Sequence, residues 1–218
     1  MKRDISTIFF VIVVFAILEL FCLNPAFAKK DCEERLWKGD YEIQTIKKLE
    51  ALSGYTSVTG TLSIYSSALT SLDGLKCLTS VGEGLYIEYN DSLTSLKGLK
   101  NLTSVGERLY IGNNNSLTSL RGLKNLTSVG ELTILSNRSL TSLEGLKNIT
   151  SVGGKLTIEI NRSLTSLEGL KSLTYVGGDF EVAENHGLCT SAAEALRGQL
   201  LGAGGIGGDV DISDNKYC

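Results

Sequence analysis

The chain has 218 residues, 21 of them basic and 24 acidic, for a net charge of −3. This length suits one domain of ordinary size, and the charge balance gives no electrostatic case for nucleic acid or an anionic membrane as the partner. A single histidine and the lack of any Cys-x-x-Cys pair argue against a metal site. We therefore expect neither a metal nor a cofactor.

The N-terminal segment differs in character from the rest. A short basic start is followed by an apolar run over 8–18 and by Ala-Phe-Ala at 26–28. This order predicts a secretory signal peptide at 1–28 and a mature domain at 29–218. An uncleaved anchor is the alternative, although the run is short for a span of about 20 residues. We expect the mature chain to be exported (secreted, periplasmic or at the cell surface) without a membrane span.

The phrase LTSLxGLKxLTSVG recurs through the mature domain. Its first leucine falls at Leu69, Leu93, Leu117, Leu140 and Leu164, so the intervals by subtraction are 24, 24, 23 and 24 residues. A fixed period in the twenties is typical of a solenoid, in which each repeat buries its apolar side against its neighbours.

A Leu-x-Ile motif, or a close variant of it, ends each repeat and predicts a short strand. The predicted strands are Leu62-Ile64, Leu85-Ile87, Leu109-Ile111, Leu132-Ile134, Leu156-Ile158, Phe180-Val182 and Val210-Ile212. Stacked about 4.8 Å apart they would form one parallel sheet, with Leu and Ile inward and the intervening residues outward.

Helices are predicted at both ends of the repeats. One runs from Ile46 to Leu52 after an N-cap at Thr45, and the other from Ala192 to Leu201 after Ser191. The predicted fold class is thus mostly β, a right-handed parallel β-solenoid of the leucine-rich-repeat type. It has coils of about 24 residues and short capping helices at both ends.

An asparagine follows the Leu-x-Ile motif in nearly every repeat, at Asn90, Asn114, Asn137, Asn161, Asn185 and Asn215. Such a row can satisfy backbone groups that a corner leaves unpaired, so we interpret it as structural. The first four of these asparagines begin N-x-S/T sequons, as do Asn101, Asn125 and Asn148. The first set would be buried and the second exposed.

Two charged columns follow from the period. One contains Lys76, Lys100, Lys124, Lys147 and Lys171, and the other contains Asp73, Lys97, Arg121, Glu144 and Glu168. Such columns are usually a solvated face. A stripe that binds anions is the alternative.

Four cysteines remain after residue 28, namely Cys32, Cys77, Cys189 and Cys218. An even number in an exported chain favours disulfides, and four cysteines allow three pairings. Their positions near the ends suggest clamps, with Cys32 joined to Cys77 and Cys189 to Cys218.

The composite pattern resembles the receptor L domain, the ligand-binding β-solenoid of the insulin-receptor and epidermal-growth-factor-receptor families, in a small secreted microbial version. The resemblance rests on the opening Cys32, the segment 54–60, the repeated GL-x-x-LTSVGG-x-LxIxxN and the closing segments 185–189 and 214–218. It implies the fold and a binding role. Signalling is not implied, because the chain contains no cysteine-rich module or kinase.

The outward strand positions are the candidate binding residues for an extracellular protein or glycan. They are Tyr65, Tyr86, Glu88, Tyr89, Tyr110 and Leu135. Exposed tyrosines suit such a contact, although tyrosine also simply favours strands. The alternative is a structural or adhesive surface protein without a discrete site.

A catalytic role is not expected. Glu88, Glu159, Glu181 and Glu184 are spread over several repeats, and His186 lies at a predicted turn. Neither a converging carboxylate pair nor a nucleophile beside a base is evident. We therefore predict a non-catalytic recognition module.

Overall fold

The computed structural model describes residues 32–218. The predicted signal peptide at 1–28 lies outside these residues. Within them the chain forms thirteen strands and two α-helices. The strands join in a single sheet, and every strand pair is parallel. The predicted mostly-β parallel fold is therefore confirmed.

The strands are short except β7 and β8, in each of which the Ser-Val and Leu-x-Ile segments of a repeat form one continuous strand. They are β1 (Leu36–Trp37), β2 (Tyr41–Ile43), β3 (Ser57–Val58), β4 (Leu62–Ile64), β5 (Ser80–Val81), β6 (Leu85–Glu88), β7 (Ser104–Gly112), β8 (Ser128–Leu135), β9 (Ser151–Val152), β10 (Leu156–Glu159), β11 (Tyr175–Val176), β12 (Phe180–Ala183) and β13 (Val210–Asp211). All predicted Leu-x-Ile strands are present. The second, Ser-Val strand of the repeat was not predicted.

Equivalent residues of successive repeats pair with one another. Leu85 pairs with Leu109, which pairs with Leu132, and the isoleucines two positions later keep the same register. These side chains are fully buried, as are the leucines of the LTSLxGL phrase. Because inward positions match at every step, one continuous apolar core runs under the whole sheet.

A 3₁₀-helix occupies the x-Gly-Leu corner of each full repeat. The five are η1 (Asp73–Leu75), η2 (Lys97–Leu99), η3 (Arg121–Leu123), η4 (Glu144–Leu146) and η5 (Glu168–Leu170). Glycine is required in the middle of η2 to η5. A Cβ at Gly98 would lie 1.8 Å from the Leu72 carbonyl oxygen of the preceding repeat. The corners therefore stack backbone on backbone.

The two α-helices lie at the ends, as predicted, with shifted boundaries. Helix α1 (Ile46–Ala51) begins after Thr45, whose Oγ1 accepts a hydrogen bond from the Lys48 amide at 3.2 Å. Helix α2 (Thr190–Ala203) begins before the predicted boundary at Ser191, and residue 189 occupies its N-cap position.

Two disulfides close the ends, in the predicted pairing. Cys32 is bonded to Cys77 and Cys189 to Cys218. Such bonds favour an oxidising, exported environment. Between Cys32 and Cys218, no helix has both the length and the apolar character needed to cross a membrane.

Candidate binding face

The outward side chains of the Leu-x-Ile strands form one surface, which we call the outer face. Its first row, between the inward Leu and Ile, contains Glu42, Ser63, Tyr86, Tyr110, Thr133, Thr157, Glu181 and Asp211. Its second row, just after the inward Ile, contains Glu88, Gly112, Leu135, Glu159 and Ala183 in register. Unlike the inward rows, these rows change from strand to strand.

Tyr86 and Tyr110 form the aromatic centre of the outer face. Their ring centroids are 6.0 Å apart and the rings are inclined by 31°. Each ring lies close to a glycine, because a Cβ at Gly84 would meet the Tyr86 ring at 2.5 Å and one at Gly112 would meet the Tyr110 ring at 2.5 Å. The neighbouring glycines thus give the two rings room to lie against the sheet, and both side chains remain half-exposed.

Glu88 lies beside these rings and is also half-exposed. Burial and the nearby Glu88 carboxylate raise the pKa of Tyr110 above its ordinary value, and Tyr89 adds to the effect. Within residues 32–218 the Glu88 side chain has no ion pair or hydrogen-bond partner. Its carboxylate is therefore available to an external donor or cation.

Tyr89 stands at a corner where the backbone is left-handed, with a φ of 54°. This region is uncommon for residues other than glycine. The next residue explains it, since Asn90 Nδ2 lies 2.9 Å from the Glu88 carbonyl oxygen and closes a tight turn around Tyr89. The turn leaves Tyr89 60% exposed.

Tyr65 and Leu135 lie on the same face with different surroundings. The Tyr65 hydroxyl donates to the Glu42 carboxylate at 2.9 Å and accepts from the Gln44 amide. The hydrogen bond to Glu42 is the main reason that the pKa of Tyr65 is raised. Tyr65 is therefore already engaged, whereas Leu135 is a half-exposed aliphatic side chain next to Gly112.

Two ion pairs join neighbouring strands on this face. Arg108, two residues before Tyr110 on β7, pairs with Glu131 on β8 beside the aromatic centre, and further along the sheet Lys155 Nζ lies 2.5 Å from Glu181 Oε2. Thr157 Oγ1 adds a hydrogen bond of 3.3 Å to the same Glu181 oxygen. The part of the face on β10 and β12 thus satisfies its own polar groups.

Two of the four glutamates, Glu159 on β10 and Glu181 on β12, come close together across adjacent strands. Their carboxyl groups lie within hydrogen-bonding reach. Burial, and then the contact with Glu181, raise the pKa of Glu159 from 4.5 to about 7. The contacts with Glu159 and Lys155 lower the pKa of Glu181. The proximity of these two carboxyl groups on adjacent strands was not evident from spacing within one repeat.

The asparagine row lies directly under this face. The Oδ1 atom of Asn114 accepts from the Asn90 amide at 3.1 Å, and Asn114 Nδ2 lies 2.8 Å from the Ile87 carbonyl oxygen. The same pattern recurs through Asn137, Asn161 and Asn185, all fully buried, and ends at the half-buried Asn215. The sequons at this row are therefore buried, while Asn101, Asn125 and Asn148 are exposed.

The remaining candidate residues do not converge. His186 is exposed in a turn. In the part of the chain from Cys32 onward, no cluster of three or more His, Cys, Asp or Glu side chains could hold a metal ion.

Comparison with protein-family models and with curated proteins finds no match to this chain. The resemblance to the receptor L domain thus rests on the motifs of the sequence, and function has to be argued from the outer face itself.

Proposed function

We propose that this protein is a non-catalytic exported recognition module that presents its outer face to an extracellular protein or glycan. The observation that carries the proposal is the contrast within that face. Tyr86, Tyr110 and Glu88 are half-exposed and Tyr89 is exposed, whereas on β10 and β12 the face is closed by the Lys155–Glu181 ion pair.

The proposed scaffold is a right-handed solenoid of the receptor L type with one coil of about 24 residues per repeat. The coil length is supported by the strand register, since residues that pair across the sheet, such as Leu85 and Leu109, are one sequence period apart. The handedness is supported by a general rule, because connections between parallel strands of one sheet are right-handed in about 98% of cases.

The aromatic centre has the chemistry of a contact surface. Tyrosine provides a large rigid area with a polar tip, which is why it is enriched in interfaces. The unpaired Glu88 carboxylate beside Tyr110 adds an acceptor for sugar hydroxyls or for a basic side chain. The first and second rows of the outer face bring these groups together on adjacent strands.

An enzymatic role is disfavoured by the geometry of the one carboxyl pair. Carboxyl groups that cleave a glycosidic bond lie about 5 Å or more apart, so that the bond fits between them. Glu159 and Glu181 interact closely enough to shift each other's pKa, and Lys155 holds Glu181 in an ion pair. The two carboxyl groups thus engage each other and Lys155, which does not favour a substrate bond between them.

The test is binding by wild-type protein and by the Tyr86→Ser/Tyr110→Ser variant, on a glycan array and with extracellular proteins captured from the native medium. We expect the variant to lose at least about tenfold in affinity, equivalent to about 1.4 kcal/mol. The control, Ser63→Ala/Thr133→Ala, changes the same row outside the aromatic centre and should bind like wild type. Equal binding by the tyrosine variant would refute the proposal. No partner at all would favour the structural or adhesive alternative.

A further inference from the structure

A second surface of the repeats is built with unusual regularity. Five lysines, which we call the lysine row, each follow one of the helices η1 to η5, at Lys76, Lys100, Lys124, Lys147 and Lys171. Their φ values lie between −57° and −60° and their ψ values between −16° and −21°. All five are exposed. Their side chains thus leave equivalent backbone positions in five successive repeats.

The backbone beneath the row is fixed by short contacts. Asn101, Asn125 and Asn148 each donate through Nδ2, at 2.7 Å, to the carbonyl of a row lysine in the preceding repeat. The stacked glycine corners, as at Gly98, add backbone contact between repeats. Strands of adjacent repeats lie about 4.8 Å apart, which is less than the screening length of about 8 Å at physiological salt. Neighbouring row charges therefore act together.

The charge of this edge is opposite to that of the protein. The lysine row and the adjacent column (Asp73, Lys97, Arg121, Glu144 and Glu168) contain seven cations and three carboxylates, for a net charge of +4, whereas the whole chain carries −3. Arg121 and Glu144 neutralise each other at 2.6 Å. Within the described residues no lysine of the row has an ion-pair partner.

A groove of about 550 Å³ runs beside the row. Its charged lining is Arg121, Lys124, Glu144, Lys147, Glu168 and Lys171. Because Glu144 is paired with Arg121, Glu168 is the one groove carboxylate without an ion pair among residues 32–218. The groove shares no residue with the aromatic centre of the outer face.

We propose that the lysine row binds a linear anionic polysaccharide along this groove. The row is one lysine wide and several repeats long, so it matches a single chain with charges at regular intervals. Duplex DNA and a lipid surface present charge over an area broader than this row. This inference is independent of the proposed recognition by the outer face.

The experiment measures affinity for dextran sulfate, with uncharged dextran as the blank probe. The variant Lys100→Gln/Lys124→Gln/Lys147→Gln removes the middle of the row. The control Lys38→Gln/Lys47→Gln/Lys216→Gln removes the same charge from exposed lysines outside it. We expect at least about a tenfold loss for the row variant and less than about threefold for the control. Binding by wild type should fall steeply between about 50 and 200 mM salt, because counterions are released.

Two further variants sharpen the result. Glu168→Gln should raise the affinity about twofold, since it removes the unpaired carboxylate from the groove. Tyr86→Ser/Tyr110→Ser should bind dextran sulfate like wild type, so failure of this site and failure of the outer face are distinguishable. Equal losses in the row and control variants, or no binding by wild type, would overturn the proposal. So would tighter binding of duplex DNA or of phosphatidylglycerol vesicles.

Discussion

The inward side of a strand keeps the same residue types from repeat to repeat, whereas the outward side does not. In β6 the inward Leu85 and Ile87 are fully buried, and the equivalent residue in nearly every repeat is again Leu or Ile. The outward Tyr86 and Glu88 have Tyr110 and Gly112 as neighbours on one side, and Thr133 and Leu135 follow beyond. The repeated inward residues therefore serve packing of the core, and the outward residues that differ between repeats are the candidates for binding.

The asparagines of the row are polar, yet like the inward leucines they recur in successive repeats, and all but Asn215 are fully buried. A buried amide must keep its hydrogen bonds, because an unsatisfied group costs about 1–3 kcal/mol. Asn114 lies under the aromatic centre and joins three consecutive repeats through its amide and carbonyl atoms. It ties the corners of the outer face to the core.

The largest expected effect comes from Asn114→Ala. Loss of its side chain removes the acceptor of the Asn90 amide and one donor each from the Ile87 and Gly112 carbonyls, so we expect a loss of about 3 kcal/mol in the free energy of unfolding. Urea denaturation followed by circular dichroism measures it.

The adjacent Asn115 provides the matched control. Its side chain bonds only to the exposed Asp91 carboxylate, so Asn115→Ala should change stability by less than about 0.5 kcal/mol. Similar losses in the two variants would contradict the assignment of Asn114 to the inward side.

A smaller effect is expected from the Glu159–Glu181 pair on the outward side. The native state raises the pKa of Glu159 from 4.5 to about 7, so the stability gained from its protonated form is complete below pH 4.5 and is lost as the pH rises through 7. Because Glu159 is partly exposed, we expect only about 1 kcal/mol of this effect to be measurable.

Glu159→Gln should remove that dependence. Urea denaturation at about pH 5 and pH 8 should show wild-type stability falling and the variant changing less. The lowered pKa of Glu181, to which Glu159 and Lys155 both contribute, affects stability only at more acidic pH. Parallel curves for the two proteins would mean that Glu159 is not protonated in the folded state near neutral pH.

The sequence predicted the parts of the fold that repeat. The Leu-x-Ile strands and the asparagine row follow from the period, the N-cap at Thr45 from its residue type, and the disulfide pairing from the positions of the cysteines near the ends. The Ser-Val strands and the 3₁₀-helices were missed because segments of two or three residues show no periodicity. Aligning the repeats would have suggested them, since each recurs with the register of the Leu-x-Ile strands.

The sequence predicted which residues of the candidate site point outward, but not how their side chains are arranged relative to one another. Alternation identified Tyr86, Glu88 and Tyr110 as outward. The ring directions depend on Gly84 and Gly112, whose effect is visible only in three dimensions. The Glu159–Glu181 contact depends on a diagonal between strands, which spacing within one repeat does not show.

The separation of inward and outward roles is tested most directly by two double variants in the same pair of strands, β6 and β7. Unfolding in urea compares Leu85→Ala/Leu109→Ala with Tyr86→Ser/Tyr110→Ser. We predict a loss of more than about 4 kcal/mol for the leucines, which are fully buried. For the tyrosines we predict about 1 kcal/mol, the typical worth of an aromatic pair. A tyrosine variant that loses as much stability as the leucine variant would show that the aromatic centre serves the fold, and would contradict the account.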